Sequence, residues 1–184
     1  MTDRAVLLSI KPKYCELIAS GKKTVEVRKT RPKIPTPFKC YIYCTKPKMI
    51  TKYVFKPEDY PEYMRPEKTV FCKVPDASSP FCSPVNGNSK VIGEFVCDEI
   101  ISFGFTPYNH GEYMVSFDVN NEHDILKASC LSFNEMYEYI GENVGYGYHI
   151  SKLVIYDTPK ELSEFGLKRA PQSWCYVQEV TDNA

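Results

Sequence analysis

The sequence has no apolar run approaching the roughly 20 residues needed to span a bilayer. The apolar stretch near its start, in MTDRAVLLSIKPK, is too short for a signal peptide and carries no small-residue cleavage site. These absences predict a cytoplasmic protein without membrane contact. The chain also lacks any C-x-x-C pair, and its three histidines, His110, His123 and His149, are not spaced as ligands. Cys40 and Cys44 resemble a metal pair, but four residues along a strand set them about 13 Å apart, too far to share an ion. No metal and no cofactor are expected. There is no Ser-His-Asp arrangement, no phosphate-binding glycine loop and no internal repeat, so the common hydrolase and nucleotidase signatures are absent.

Net charge is lacking too, yet the zero total conceals a polarity. Residues 1–52 carry 13 Lys and Arg against 3 Asp and Glu, while the remainder carries 10 against 20. Such asymmetry points either to an anionic partner or to two parts of one fold that neutralise each other. At 184 residues, 43% hydrophobic and 14% aromatic, the chain suffices for one domain over 1–184 with a real core. Its eight cysteines include Cys15, Cys40, Cys97 and Cys175 inside apolar runs, which reads as free buried thiols in a reducing compartment.

Local patterns predict the elements. Arg4–Ile10 is a buried strand, and Pro12 opens a helix whose apolar face holds Tyr14, Leu17 and Ile18. Gly21 sits at its left-handed stop. Lys11 and Lys13 place positive charge at the positive end of that helix, where either a bound phosphate or plain solvation would relieve them. Thr24–Lys29 alternates, with Val25 and Val27 on one face and Thr24, Glu26 and Arg28 on the other. Phe38–Thr45 and Lys90–Phe103 read as strands, the second with Gly93 as a bulge or close backbone approach. Residues 46–90 are rich in Pro, Lys, Asp and Ser and read as a long insertion holding one strand, Lys68–Val74. Capping boxes predict helices after Ser132 and after Thr158, the latter ending at Gly166. Gly145–His149 leads into a strand at Ile150–Tyr156, and Trp174–Val180 is the last strand. Strands outnumber helices without βαβ alternation, which predicts an α+β arrangement, a small mixed β-barrel with helices packed around it.

The segment Leu8-Ser9-Ile10-Lys11-Pro12, the pattern G-x-K-x-x-E-x-R formed by Gly21, Lys23, Glu26 and Arg28, and the nearby Arg31-Pro32 together resemble the ASCH domain of the PUA-like superfamily. The strand Tyr148-His149-Ile150-Ser151 and the segment Lys160–Phe165 are similar to bacterial and phage members. The resemblance implies a PUA-like β-barrel whose signature strand and first helix line a cleft for RNA or nucleic acid. It also implies kinship with an amidohydrolase of N4-acylated cytidine. That enzyme's catalytic lysine falls on Lys23, and its threonine nucleophile falls on Glu26, which cannot play the same part.

The leading expectation is therefore RNA or modified-nucleoside binding in a basic cleft. Arg28 offers a bidentate grip, Glu26 orients it or accepts hydrogen bonds, and Lys11, Lys23 and Lys29 add positive charge. Tyr146, Tyr148, His149 and Trp174 are candidates for stacking on an unpaired base. The alternative for each is structural: an ordinary Glu26–Arg28 ion pair, a tyrosine turn packed on the core, a core Trp174 and a structural His149. Two further readings stay open, a hydrolase (amidohydrolase or ribonuclease) using Lys23 and Glu26, and a protein-interaction module built on the insertion.

Overall fold

The computed structural model describes residues 4–46, 49–65, 67–75, 89–108, 112–117 and 125–180. Strand β1 (Arg4–Ile10) leads into helix α1 (Pro12–Ala19), then β2 (Val25–Arg28) and β3 (Phe38–Cys44). A hairpin of β4 (Met49–Phe55) and β5 (Val70–Pro75) follows, then β6 (Lys90–Cys97), β7 (Ile100–Tyr108) and β8 (Glu112–Phe117). Helices α2 (Ile125–Ser129) and α3 (Phe133–Ile140) precede β9 (Gly145–His149), β10 (Ser151–Lys160) and β11 (Trp174–Gln178).

The strands form a five-stranded sheet ordered β10-β6-β3-β1-β11 and a four-stranded sheet ordered β2-β9-β7-β8; β4 and β5 pair with each other. Strands β1 and β3 run parallel. Side-chain alternation builds three core layers from these sheets. Val6, Leu8 and Ile10 of β1 with Phe38, Cys40, Ile42 and Cys44 of β3 fill the space between the two large sheets. There Phe38 meets Tyr148 of β9 edge to face at 6.3 Å. The opposite side chains, Ala5, Leu7, Tyr41 and Tyr43, pack under Phe165 and its neighbours. Val25 and Val27 of β2 join Ile101 and Phe103 beneath α2 and α3. Strands β1 and β3 are thus buried on both faces, which is why they read as continuous apolar runs. The architecture is α+β, and the expected barrel takes the form of two sheets sharing one core, with no hydrogen-bonded seam closing them among the described residues.

Several elements differ from expectation. The run Lys90–Phe103 is two strands, because the chain turns at Asp98 and Glu99 and passes from one sheet to the other, the corner locked by the His149 amide on the Glu99 carbonyl at 3.0 Å. Gly93 does mark both features foreseen for it. The β3–β6 register shifts beside it, and a Cβ there would collide with the Val154 carbonyl. The helix expected from Thr158 is absent. Pairing of Lys160 with Val91 carries β10 through Pro159, which an edge strand tolerates. The capping box falls instead on Glu161 and Glu164, around a single 3₁₀ turn, Leu162–Phe165, that Gly166 ends at φ +71°. The box at Ser132 and Glu135 opens α3 as predicted. Gly145–His149 is a full strand between β2 and β7.

Within 46–90 the structure shows two strands where one was expected. The Ser89 amide donates to the Cys44 carbonyl at 2.7 Å, so the chain returns close to where it left the main sheet. Residues 76–88, and with them most of PDASSPFCSPVNGNSK, lie outside the described residues, as do His110 and His123. Cys15, Cys40, Cys44, Cys97, Cys130 and Cys175 are free thiols. Among the described residues no helix is long and apolar enough to cross a membrane.

Candidate functional site

The site is assembled at the end of α1. The Ser20 and Gly21 amides close the helix on the Glu16 and Ile18 carbonyls, both at 2.9 Å. Gly21 takes φ +72°, and the Lys23 amide then reaches back to the Leu17 carbonyl at 2.9 Å. This turn folds Lys23 beneath the helix, its Nζ 5.2 Å from the centre of the Tyr14 ring. Strand β2 begins two residues later. Its alternation sends Val25 and Val27 to the layer under α2 and α3, so Glu26 and Arg28 point to the other side, toward the space between the sheets.

There the three charges meet. Lys23 Nζ lies 3.2 Å from one Glu26 carboxylate oxygen, and Arg28 Nη2 lies 3.0 Å from the other. Lys23 also donates to the Ser129 carbonyl at the end of α2 (2.7 Å), and Arg28 to the Ser9 carbonyl of β1 (2.9 Å). Exposure is only 2% for Lys23 and 6% for Glu26 and Arg28. Two cations on one carboxylate leave a unit of positive charge in a place nearly closed to water. Buried ions cost several kcal/mol each to desolvate, so the cluster is held against a substantial penalty.

Above the cluster opens a cleft of about 800 Å³. Ser9, Ile10 and Lys11 line its β1 side, Tyr14 its α1 side, and Leu131, Glu135, Glu138 and Tyr139 the side of α3. Tyr43, Thr45, Lys46 and the segment Ala170–Ser173 complete it. That segment is fastened to β1 through Ser9, whose hydroxyl donates to the Pro171 carbonyl (2.6 Å) and whose amide donates to the Ser173 carbonyl (2.9 Å). Burial, followed by the nearby Glu135 and Glu26 carboxylates, pushes the Tyr14 hydroxyl pKa up, keeping it a donor. Glu135 is held below its ordinary pKa by the amide and hydroxyl of Ser132, and it accepts from Lys13 Nζ at 3.4 Å. Four cations and three carboxylates line the cleft, so its charge is mixed.

Of the residues singled out in the sequence, Lys11, Lys23, Glu26 and Arg28 converge on this cleft. Lys29 and Tyr146 line a second, neighbouring groove. His149 lies outside both and faces Asp98, Nδ1 to Oδ1 2.7 Å. Trp174 also lies outside both; its Nε1 donates to the Thr30 hydroxyl at 2.9 Å and its ring meets Tyr176 edge-on. Tyr148 is fully buried, its hydroxyl on the Thr30 carbonyl at 2.9 Å. Sequence reasoning assigned no site role to Tyr14, Tyr43, Glu135 or Tyr139. Tyr14 carried a signal, an amphipathic ring three residues from Lys11 on the helix that borders the signature strand. Ala170–Ser173 carried none, because its place depends on β11 pairing with β1 across the length of the chain.

Among the described residues, two packed sheets, three short helices and a cleft between the first helix and the second strand make an α+β protein, an arrangement consistent with the PUA-like fold. The sequence profile of the ASCH domain matches residues 8–141, and the chain belongs to that family. The crystal structure of the ASCH protein from Zymomonas mobilis is similar at a TM-score of 0.56 and 17% identity, covering 96% of this chain and 90% of that one. Two single-substitution variants of the same Zymomonas mobilis protein match at TM-scores of 0.54 and 0.50, each at 17% identity. The first covers 95% of this chain and 91% of its own, the second 95% and 89%. No functionally curated protein matches the chain in sequence.

Proposed function

We propose that the chain binds RNA or a modified nucleoside in the cleft between α1 and β2. The buried Lys23–Glu26–Arg28 cluster carries this reading. An apolar trio of similar volume would fill the same space at less cost, so the charges are best explained by what they present to a ligand. Glu26 is fixed by a cation on each oxygen and acts as a brace that aims Lys23 and Arg28. The surplus positive charge suits a ligand rich in acceptor oxygens, such as the carbonyl edge of a base. Tyr14, Tyr43 and Tyr139 supply aromatic walls of the kind that hold an unstacked base. Lys11 and Lys46 at the mouth suit a phosphate, and the cleft's volume falls in the usual small-ligand range of about 300–1,000 Å³.

Hydrolysis is the second reading. Lys23 stands where the related amidohydrolase carries its catalytic lysine, and it is held between Glu26 and the Ser129 carbonyl. With Glu26 in the nucleophile's place, binding accounts for the arrangement better than cleavage does. The test is titration of the protein with N4-acetylcytidine and with a labelled single-stranded RNA, alongside product analysis. Arg28→Ala and Lys23→Ala each remove a charge-assisted hydrogen bond and are expected to weaken binding about 10- to 100-fold, or roughly 1.5–3 kcal/mol. Binding indifferent to both substitutions overturns the proposal. Product formation that depends on Lys23 shifts the conclusion to a hydrolase.

A further inference from the structure

The cleft does not account for the charge polarity of the sequence, because its cations and carboxylates nearly balance. The excess lies next door. Immediately after Arg28, residues Lys29 to Pro35 and Tyr146 form a groove of about 660 Å³ whose lining includes Lys29, Arg31 and Lys33 and no acidic residue. The sequence holds no Asp or Glu between Glu26 and Glu58. All three cations are exposed, and among the described residues none enters an ion pair.

Solvated basic loops are common, but this one is built. Its backbone is clamped at the Thr30 carbonyl by the Tyr148 hydroxyl (2.9 Å) and at the Lys33 amide by the Tyr176 hydroxyl (2.6 Å), and the Thr30 side-chain hydroxyl accepts from the Trp174 indole at 2.9 Å. Pro32 is buried beneath it. Three side chains from β9 and β11, Tyr148, Trp174 and Tyr176, thereby hold the loop that carries the three exposed cations. Arg31 lies over the Tyr146 ring at 5.8 Å, a flat cation–aromatic surface of the kind on which a base can stack. The groove adjoins the cleft directly: Arg28 lines one and Lys29 the other, and Lys29 Nζ sits 5.2 Å over the ring of Tyr139, a wall of the cleft.

We infer that this groove carries the sugar-phosphate backbone of nucleotides flanking the one held in the cleft, so that the ligand is single-stranded RNA of several nucleotides rather than a free nucleoside. The inference rests on the cleft reading and extends it. Phosphates pair with Lys29, Arg31 and Lys33 in turn as the strand leaves the cleft, and a neighbouring base lies on the Arg31–Tyr146 surface. A double helix could not enter the cleft, which requires a base free of its partner.

The experiment titrates the full chain with a fluorescein-labelled eight-nucleotide RNA of mixed sequence and, separately, with N4-acetylcytidine and cytidine, across a salt series. The comparison protein carries Arg31→Gln with Lys33→Gln, two exposed positions, with its thermal midpoint checked against the parent. The parent is expected to bind the octamer more tightly than either nucleoside. The double substitution should weaken octamer binding on the order of tenfold and make the slope of log affinity against log salt shallower by about 1.4, the share of two phosphates on a single strand. Nucleoside affinity should stay as it was. An unchanged octamer affinity and slope, with nucleoside binding intact, overturns this inference and leaves the cleft reading standing. If the parent binds neither nucleoside nor octamer, both fall together. If an acidic peptide binds with the same dependence on Arg31 and Lys33 while the octamer does not, the groove is a protein-docking surface and the inference is overturned.

Discussion

Distance alone does not rank the ion pairs of this protein. Among the described residues the Lys90–Glu161 pair is the shortest Lys–Glu pair at 2.8 Å, but its side chains are 43% and 57% exposed. Water and salt screen it, and such pairs contribute about 0–1 kcal/mol. The longer contacts of Glu26, at 3.0 and 3.2 Å, are nearly sealed, and removing the carboxylate leaves two cations buried without a counter-charge. Glu26→Leu is therefore expected to cost about 3–5 kcal/mol in urea denaturation at neutral pH, against no more than about 1 kcal/mol for Lys90→Ala. Equal losses in the two variants would show that Glu26 is not the brace of the cluster. The pairing partners were readable from the i, i+2 spacing of Glu26 and Arg28, which fixes a common face. Their burial was not, because it depends on β1 and α1 closing over that face, and the contact from Arg28 to the Ser9 carbonyl bridges two sheets.

At the scale of elements, local signals succeeded where they had no competitor. The Pro12 start, the Gly21 stop, the parity of Val25 and Val27 in β2 and the Ser132–Glu135 box all depend on neighbours within a turn or along one strand, and each stands in the structure as the pattern predicted. They failed where pairing across the chain overrode them. The Thr158 box lost to the β10–β6 ladder, and the corner at Asp98 is invisible because strands on either side of it alternate alike. Gly93 sits in that ladder where a Cβ would meet the Val154 carbonyl and the Ile155 backbone. Gly93→Ala requires the two strands to part, and a loss of about 1–3 kcal/mol is expected from thermal or urea unfolding. A neutral substitution would mean that β10, an edge strand, yields without cost.

For the whole molecule, the two large sheets hold the cleft, the groove and the three core layers, while the β4–β5 hairpin hydrogen-bonds within itself. Since Ser89 and Cys44 already touch, residues 47–88 can be replaced by a short Gly-Asn turn without stretching the chain. The shortened protein is expected to retain the parent's far-ultraviolet circular dichroism and a single cooperative unfolding transition. Loss of cooperativity would make the segment part of the core domain rather than an insertion. Composition sets this tract apart, and β5 was legible inside it; its partner β4 was not, since that strand lies in mixed polar sequence. The role of Trp174 was the least legible, because an indole in a late strand reads alike whether it stacks on a ligand or fastens a distant loop. That fastening has a practical consequence. Trp174 is the sole tryptophan of the chain, and its indole nitrogen is tied to Thr30 in the floor of the basic groove. The protein thus contains its own optical gauge: its indole emission reports the environment of one loop, and does so without a label.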